Sequence, residues 1–306
     1  MITLNGEKEL IRVESWEEIQ SRPDFDGQLD PNAHDLASII GSYVFVDRIA
    51  CGLSNCRTPH GRGYLVATKD ARVTNIGKDC GAKYFGVDFE ELSRKFDNDI
   101  ADKESRERLW SFAFRIDNVS SEVARIRKGD GSGRGADWAQ KRSRALLTLN
   151  SGCPGAVVRQ VVKMLKTGES DVVIDREATA VETARAEAAA GGRIARPHYV
   201  SENAGRVAHL DALNSENDLR EMLIVDLEEN LKAFALLDID QLTRAELGHW
   251  SKWSVGVDFT LEKAESIVAK CRELLRAENL TPFAALLSTG EEEAQFKAFL
   301  NSLGAA

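Results

Sequence analysis

The chain has 306 residues, 43% hydrophobic and 29% charged, with 49 acidic side chains against 40 basic ones and a net charge of −9. Such a composition belongs to a globular protein with room for one large domain or two modest ones, and the acidic balance argues against a protein that coats nucleic acid over its whole surface. No apolar run approaches the roughly 20 residues that a spanning helix needs, so no membrane partner is expected.

The opening stretch, MITLNGEKELIRVESWEE, carries acids and lacks the apolar segment of a secretory signal, which points to a cytoplasmic location. Residues 2–13 alternate loosely around an Asn-Gly pair, the pattern of two short strands in a hairpin. Ser15 is placed to cap a short helix. The Pro- and Gly-bearing stretch that follows reads as loop, and LASIIGSYVFVDRIA as a strand that ends buried. From Asp88 onward the character turns helical.

Leu109, Phe112, Ile116, Val119, Val123 and Ile126 form one apolar stripe at alternating spacings of three and four, which predicts a helix over 103–128 stopped by Gly129. Further helices are predicted over 137–149, from Pro154 to Gly168, and over the Ala-rich 176–190, and the run RIARPHYVSENAGRVAHLDALN reads as irregular. Two more stripes, Leu219 to Leu237 and Leu261 to Leu275, have the spacing of bundle helices, and the end of the chain reads as two short helices split at Gly290. No internal repeat of fixed period is present. The predicted fold is therefore mainly α, with a small α+β module over 1–88 and a helical bundle over 89–306, the latter with a possible division near 191–215.

Three of the five cysteines and one of the five histidines fall within residues 49–86. An odd number of cysteines, three of them clustered, suits metal binding better than a disulfide framework. Cys51, Cys56, His60 and Cys80 give C-x4-C-x3-H-x19-C, the donor set of a tetrahedral zinc site. The GLSN between the first two cysteines suits a tight turn. Residues 64–68 and 72–76 read as a hairpin that carries the chain back, and Cys80 falls in the first turn of a helix that begins after Gly77, where amide donors favour a thiolate. Four protein ligands would leave no place for a catalytic water, so the zinc would be structural. His34 is the alternative to His60 as the fourth donor.

The order of turn, hairpin and helix-borne cysteine over residues 46–88 resembles the treble-clef family of zinc fingers. It does so in order of elements, with a longer turn than that family's C-x2-C, a histidine ahead of the hairpin, and one cysteine after it. The resemblance implies a small metal-stapled module and covers under a sixth of the chain. No whole-chain family is recognised.

Charge is unevenly spread. Between Arg115 and Lys166 eleven basic residues face four acids, a net +7 that leaves −16 for the rest of the chain. A basic segment in an acidic chain is either an anion-binding face or the complement of acidic helices packed beside it. On the first reading, nucleic acid meets Arg57, Arg62, Lys78 and Lys83 of the zinc module together with Arg125, Arg127, Lys128, Arg134, Lys141, Arg142 and Arg144. On the alternative, zinc only holds the module together and the protein is an interaction scaffold or inhibitor, with Trp250 and Trp253 on the surface that meets a protein partner or a second copy.

The glycine-rich KGDGSGRG lacks the Lys-Ser/Thr of a phosphate-binding loop and reads as a connection between helices. Cys153 and Cys271 read as core residues. Signatures of hydrolases, zinc proteases, dinucleotide-binding enzymes and kinases are absent, and no small-molecule substrate is evident. The sequence thus favours binding over chemistry and assigns no catalytic residue, although an active site gathered from distant segments would leave no local motif.

Overall fold

A computed structural model describes residues 1–7, 9–131 and 133–304. Lys8, Ser132 and the final two alanines lie outside the described residues, and with them parts of the first hairpin turn and of the KGDGSGRG stretch. The chain is mainly α with some β, and no described helix is long and apolar enough to cross a membrane. It divides into two compact units, residues 1–113 with 238–254, and residues 114–237 with 255–306. The boundary expected at residue 88 falls inside a helix of the first unit, and the possible division near 191–215 falls inside the second.

In the first unit, β1 (Ile2–Asn5) and β2 (Leu10–Val13) form the expected hairpin, and α1 (Trp16–Gln20) starts at Ser15, whose hydroxyl accepts from the Glu18 amide. The long β3 (Leu36–Ala50), β4 (Pro59–Thr68) and β5 (Val73–Ile76) complete an antiparallel sheet of order β2-β1-β3-β4-β5. Between Val44 and Ile49 β3 takes five steps where β4 takes two, from Arg62 to His60. Such a bulge leaves strand residues unpaired, and Val46 within it is fully exposed.

Helix α2 (Lys78–Ala113) begins two residues after β5 and is broken at Gly86, whose φ of 59° and ψ of −138° leave the helical region. An L side chain rarely takes that positive φ, and glycine does so freely. The break folds the helix so that the Phe89 ring lies against Gly81, where a methyl group would fall on the ring carbons. Phe89 joins Leu29, Ile39, Cys51, Leu53, Tyr64, Val66, Ile76 and Phe96 in one buried cluster. Tyr64 reaches from that cluster to donate to the Asp97 carboxylate at 2.9 Å.

The second unit opens with α3 (Ile116–Lys128), α4 (Ala136–Leu147) and α5 (Gly155–Thr167). Gly168 ends α5 in the left-handed conformation with its amide on the Met164 carbonyl, as a C-terminal glycine does. The helix predicted over 103–128 is thus two helices. Phe114 and Arg115 form the turn between α2 and α3, and the boundary between the units falls there. Periodicity reports which positions are buried, and all but Ile116 of the six stripe residues are, but it does not report whether the helix axis is continuous.

Arg176, expected in a helix, lies in β6 (Asp171–Glu177). The Ala-rich helix α6 (Ala180–Ala190) starts later, at a capping box in which Thr179 and Glu182 satisfy each other's amides. The run expected to be irregular contains β7 (Tyr199–Arg206), antiparallel to β6. Its sequence, YVSENAGR, has no apolar alternation, so only the pairing partner identifies it as a strand. A π-helical segment (Glu221–Glu229) runs into α7 (Asn230–Phe234) and carries the first of the two later stripes. The second lies on α8 (Arg244–Leu274), with Leu261, Ala264, Val268, Cys271 and Leu275 all buried. The chain ends with α9 (Ala277–Leu280), a 3-10 turn and α10 (Gly290–Gly304).

The start of α8 and the residues before it belong to the first unit. There Arg244 pairs with Asp102, Arg106 donates to the Leu242 carbonyl, Arg108 to the Ser251 hydroxyl and Trp110 Nε1 to Asp240.

Gly81→Ala tests the role of the Gly86 break. Overpacking a filled core typically costs about 1–3 kcal/mol, so the variant should unfold at lower denaturant than the parent in equilibrium unfolding, while Ala82→Gly on the neighbouring, half-buried position does not reproduce a loss of that origin.

Candidate metal centre

The site grows out of three local structures. Cys51 follows β3 directly, and its amide donates to the Thr58 carbonyl at 3.0 Å. The next residue, Gly52, donates to the Asn75 carbonyl of β5 at 2.8 Å and accepts from Leu29 at 2.9 Å. A Cβ at Gly52 would collide with the Thr74 hydroxyl, so the loop presses on β5 as only a glycine allows. Cys56 closes a turn on the Leu53 carbonyl at 3.2 Å, and Arg57 follows with a φ of 57°. Cys80 sits in the first turn of α2, and Tyr84, one turn on, donates to the Asn55 carbonyl in the cysteine loop at 3.3 Å.

The Sγ atoms of Cys51, Cys56 and Cys80 lie within 4.8 Å of one another, a grouping able to hold a metal ion. Thiolates around a tetrahedral zinc sit ~2.3 Å from the ion, which puts neighbouring sulfurs roughly 3.8 Å apart. The Cys56 and Cys80 sulfurs are 3.2 Å apart, in contact and not bonded to each other. Cys51 is fully buried, and the other two are partly exposed. The trio therefore has one sulfur in the core and two at the surface.

Burial pushes the Cys80 thiol up to about 12, helped by its hydrogen bond with Cys56 and the charges of its neighbours. Burial raises Cys51 as well. At Cys56 burial also acts upward, but the Thr58 hydroxyl and amide and the two adjacent thiols outweigh it and bring this thiol down to about 7.

His60 is not part of the sulfur grouping. It pairs with Ile49 across β3 and β4; Ile49 packs with the Tyr43 cluster, whereas Cys51 belongs to the other buried cluster, with Leu29 and Phe89. Its Nδ1 is 2.8 Å from the Tyr43 hydroxyl, the two rings stack at 5.8 Å, and Asn75 Nδ2 reaches the same hydroxyl at 3.4 Å. The ring lies against Gly77, the residue before the helix that carries Cys80. His60 Nε2 is buried and has no hydrogen-bond partner. Burial lowers the basicity of this imidazole and raises that of the Tyr43 phenol, so both are neutral near pH 7. The spacing of the sequence had no means of finding the Tyr43 contact, since it depends on the register of β3 against β4. His34, the alternative donor, instead pairs with Asp70 at 3.0 Å.

The other expected site residues disperse. Arg125 is engaged by Glu122, Asp130 and Glu265, and Arg127 by Asp137 and Glu228. Arg134 donates to the Gly304 carbonyl and lies over the Trp138 ring, and Arg142 donates to the Ser302 hydroxyl. Much of the basic middle is thus matched by acids and carbonyls of its own unit, while Lys128 and Arg144 are exposed. Lys141 likewise stands exposed. On the first unit Arg57 donates to the Gly27 carbonyl, while Arg62, Lys78 and Lys83 are exposed, Lys83 over the Tyr84 ring. Trp250 and Trp253 are half-buried and meet edge to face at 5.5 Å. Trp253 packs on Phe112 and Trp250 on His249, all within the first unit. Cys153 and Cys271 are buried core residues, as expected, their thiols pushed up to about 12 and about 11 by burial.

Comparison with protein-family models, curated proteins and solved structures found no match to this chain.

The thiol environments set how the binding of a metal ion at this grouping would depend on pH. A metal binds thiolates, and Cys51 and Cys80 hold their protons near neutrality, so uptake releases about two protons per ion at pH 7.5–8, where Cys56 is mostly ionised. Affinity should therefore fall as the pH is lowered. Calorimetric zinc titrations in buffers of different ionisation heat measure the proton count.

Proposed function

We propose that this is a zinc-containing binding protein in which Cys51, Cys56 and Cys80 hold a structural ion. The observation that carries the reading is the convergence of three cysteine sulfurs from a strand end, a turn and a helix start. We assign the fourth place to His60, whose Nε2 is buried and has no partner among the described residues and whose ring lies against Gly77; its nitrogens do not lie within 4.8 Å of all three sulfurs, so the ring has to move to reach the ion. In that role Nδ1 would donate to the Tyr43 oxygen, the kind of outer contact that fixes the tautomer of a metal-bound histidine. The zinc would join the 51–56 loop to the first turn of α2. The treble-clef resemblance belongs to this reading.

Over residues 46–88 seven basic side chains stand against four acids. Arg62, Lys78 and Lys83 stand exposed there, and we assign to them, with Arg57, the contacts to nucleic-acid phosphates. The 125–144 stretch contributes less than its charge suggests, because Arg125 and Arg127 already face carboxylates. A protein-interaction scaffold is the second reading. It is favoured by the fully exposed Val46 and the half-exposed Val44 at the bulge of β3, with Trp250 and Trp253, each half-buried, as the other surface it would use.

Elemental analysis of the chain refolded with zinc and dialysed should give one zinc per chain. Cys51→Ala, Cys56→Ala and Cys80→Ala should each abolish stable retention, and His60→Ala should weaken it at least about tenfold. Retention of a full equivalent by the Cys80 variant defeats the zinc reading. Nucleic-acid binding is read separately, from affinity against salt. Each of Arg62→Ala, Lys78→Ala and Lys83→Ala should lower the log–log slope by about one, and an affinity independent of salt selects the scaffold reading.

A further inference from the structure

We infer that Cys56 and Cys80 are a modification site, a thiol pair that hydroperoxides convert into an intramolecular disulfide with expulsion of the metal. The argument starts from position. The two sulfurs touch at 3.2 Å, and both side chains are partly open to solvent. Cys51, the third sulfur, is fully buried, and its Sγ faces the Asn75 carbonyl at 3.9 Å. An oxidant from solution therefore reaches Cys56 or Cys80 before Cys51, and whichever it reaches has its resolving partner already in contact. A disulfide bond is ~2.05 Å long, so the two sulfurs at 3.2 Å have about 1.2 Å left to close.

The chemistry balances in two steps. One thiolate attacks the peroxide oxygen, the O–O bond breaks, and a sulfenic acid and water form, or an alcohol if the oxidant is an alkyl hydroperoxide. The second thiolate then attacks the sulfenic sulfur and displaces hydroxide, which leaves as water once protonated. Two sulfurs have lost one electron each and the peroxide has gained both. The disulfide removes two thiolate donors at once. What remains, Cys51 with or without His60, is too few donors for a closed site, and the ion leaves. The same bond would tie residue 56 to residue 80, so the loop and the helix start stay joined in either state. The metal release rests on the zinc reading, whereas the pairing of the two sulfurs stands on their own geometry.

The test treats the full-length chain, with and without a loaded equivalent of zinc, with a small excess of hydrogen peroxide. Free thiols are then blocked, and the linked peptides are identified by tandem mass spectrometry without reduction. Trypsin leaves Cys51 and Cys56 together on residues 49–57 and Cys80 on residues 79–83, so fragmentation must read which of the first two is joined. A dye chelator follows the zinc. The expected result is a 56–80 link, with Cys51, Cys153 and Cys271 still blockable, one zinc freed per disulfide, and reversal by dithiothreitol. Cys51→Ser should still form the link, while Cys56→Ser and Cys80→Ser should not.

A dominant 51–80 or 51–56 link, a link between chains, or sulfinic acid without a disulfide would each overturn the inference. A 56–80 link in a chain that never holds zinc upholds the pairing and defeats the zinc reading instead. Zinc retained after the link has formed defeats the coupling between them.

Discussion

Everything in the first unit turns on one meeting point, where the end of β3, the loop after it and the first turn of α2 bring three sulfurs together. The loop is held on β5 by one backbone hydrogen bond from Gly52 and on Leu29 by two more. The helix start is held by Tyr84 reaching the Asn55 carbonyl and by Phe89 folded over Gly81. These anchors are short-range and individually modest, each hydrogen bond contributing about 1 kcal/mol net. Their combined effect is positional: thiols that belong to residues 51, 56 and 80 are delivered to one point by backbone geometry rather than by a deep core.

That geometry explains why the three thiols differ. Cys51 belongs to the buried cluster with Leu29, Ile39 and Phe89, while Cys56 and Cys80 only pack against its edge. A site assembled at the edge of a core has a sheltered side and an open side. In the proposed metal site, the sheltered side would favour strong, water-free contacts with an ion, and the open side would let ions and oxidants approach. Tyr43 and His60 extend the same polar seam behind the sulfurs, stacked on each other and tied to Asn75. Satisfied polar groups within an apolar setting hold a unique arrangement, and here one atom of the seam, His60 Nε2, is left for a further partner.

The second unit is organised by charge as well as by apolar stripes. Its cations are matched at close range by carboxylates from other segments, most clearly at Arg125 and Arg127, each of which meets more than one acid. Counting charges along the chain could register the excess of cations between 115 and 166, but not the acids at 228 and 265 that fold back onto them. Exposed pairs of this kind add little stability. They do redefine what the segment presents to a partner, because a cation already facing a carboxylate has less to offer a phosphate.

What could be read from the chain alone was local: the Asn-Gly hairpin, the Ser15 cap, the stop at Gly168, the buried faces of the stripes, and the three cysteines arranged as turn, hairpin and helix start. Each of these depends on residues a few positions apart, whose conformational preferences or periodicity suffice. Tertiary structure decided the rest. The break at Phe114 and the return of 238–254 to the first unit follow from packing choices that leave the apolar period unchanged. Strand β7 exists because β6 pairs with it, not because its own residues favour extension. The place of His60 beside Tyr43 depends on the register of β3 against β4, and a bulge of unpaired residues sits in that register. Local preferences say which segments fold up; the register and the partners that decide which side chains meet come from energies shared between segments far apart in the chain.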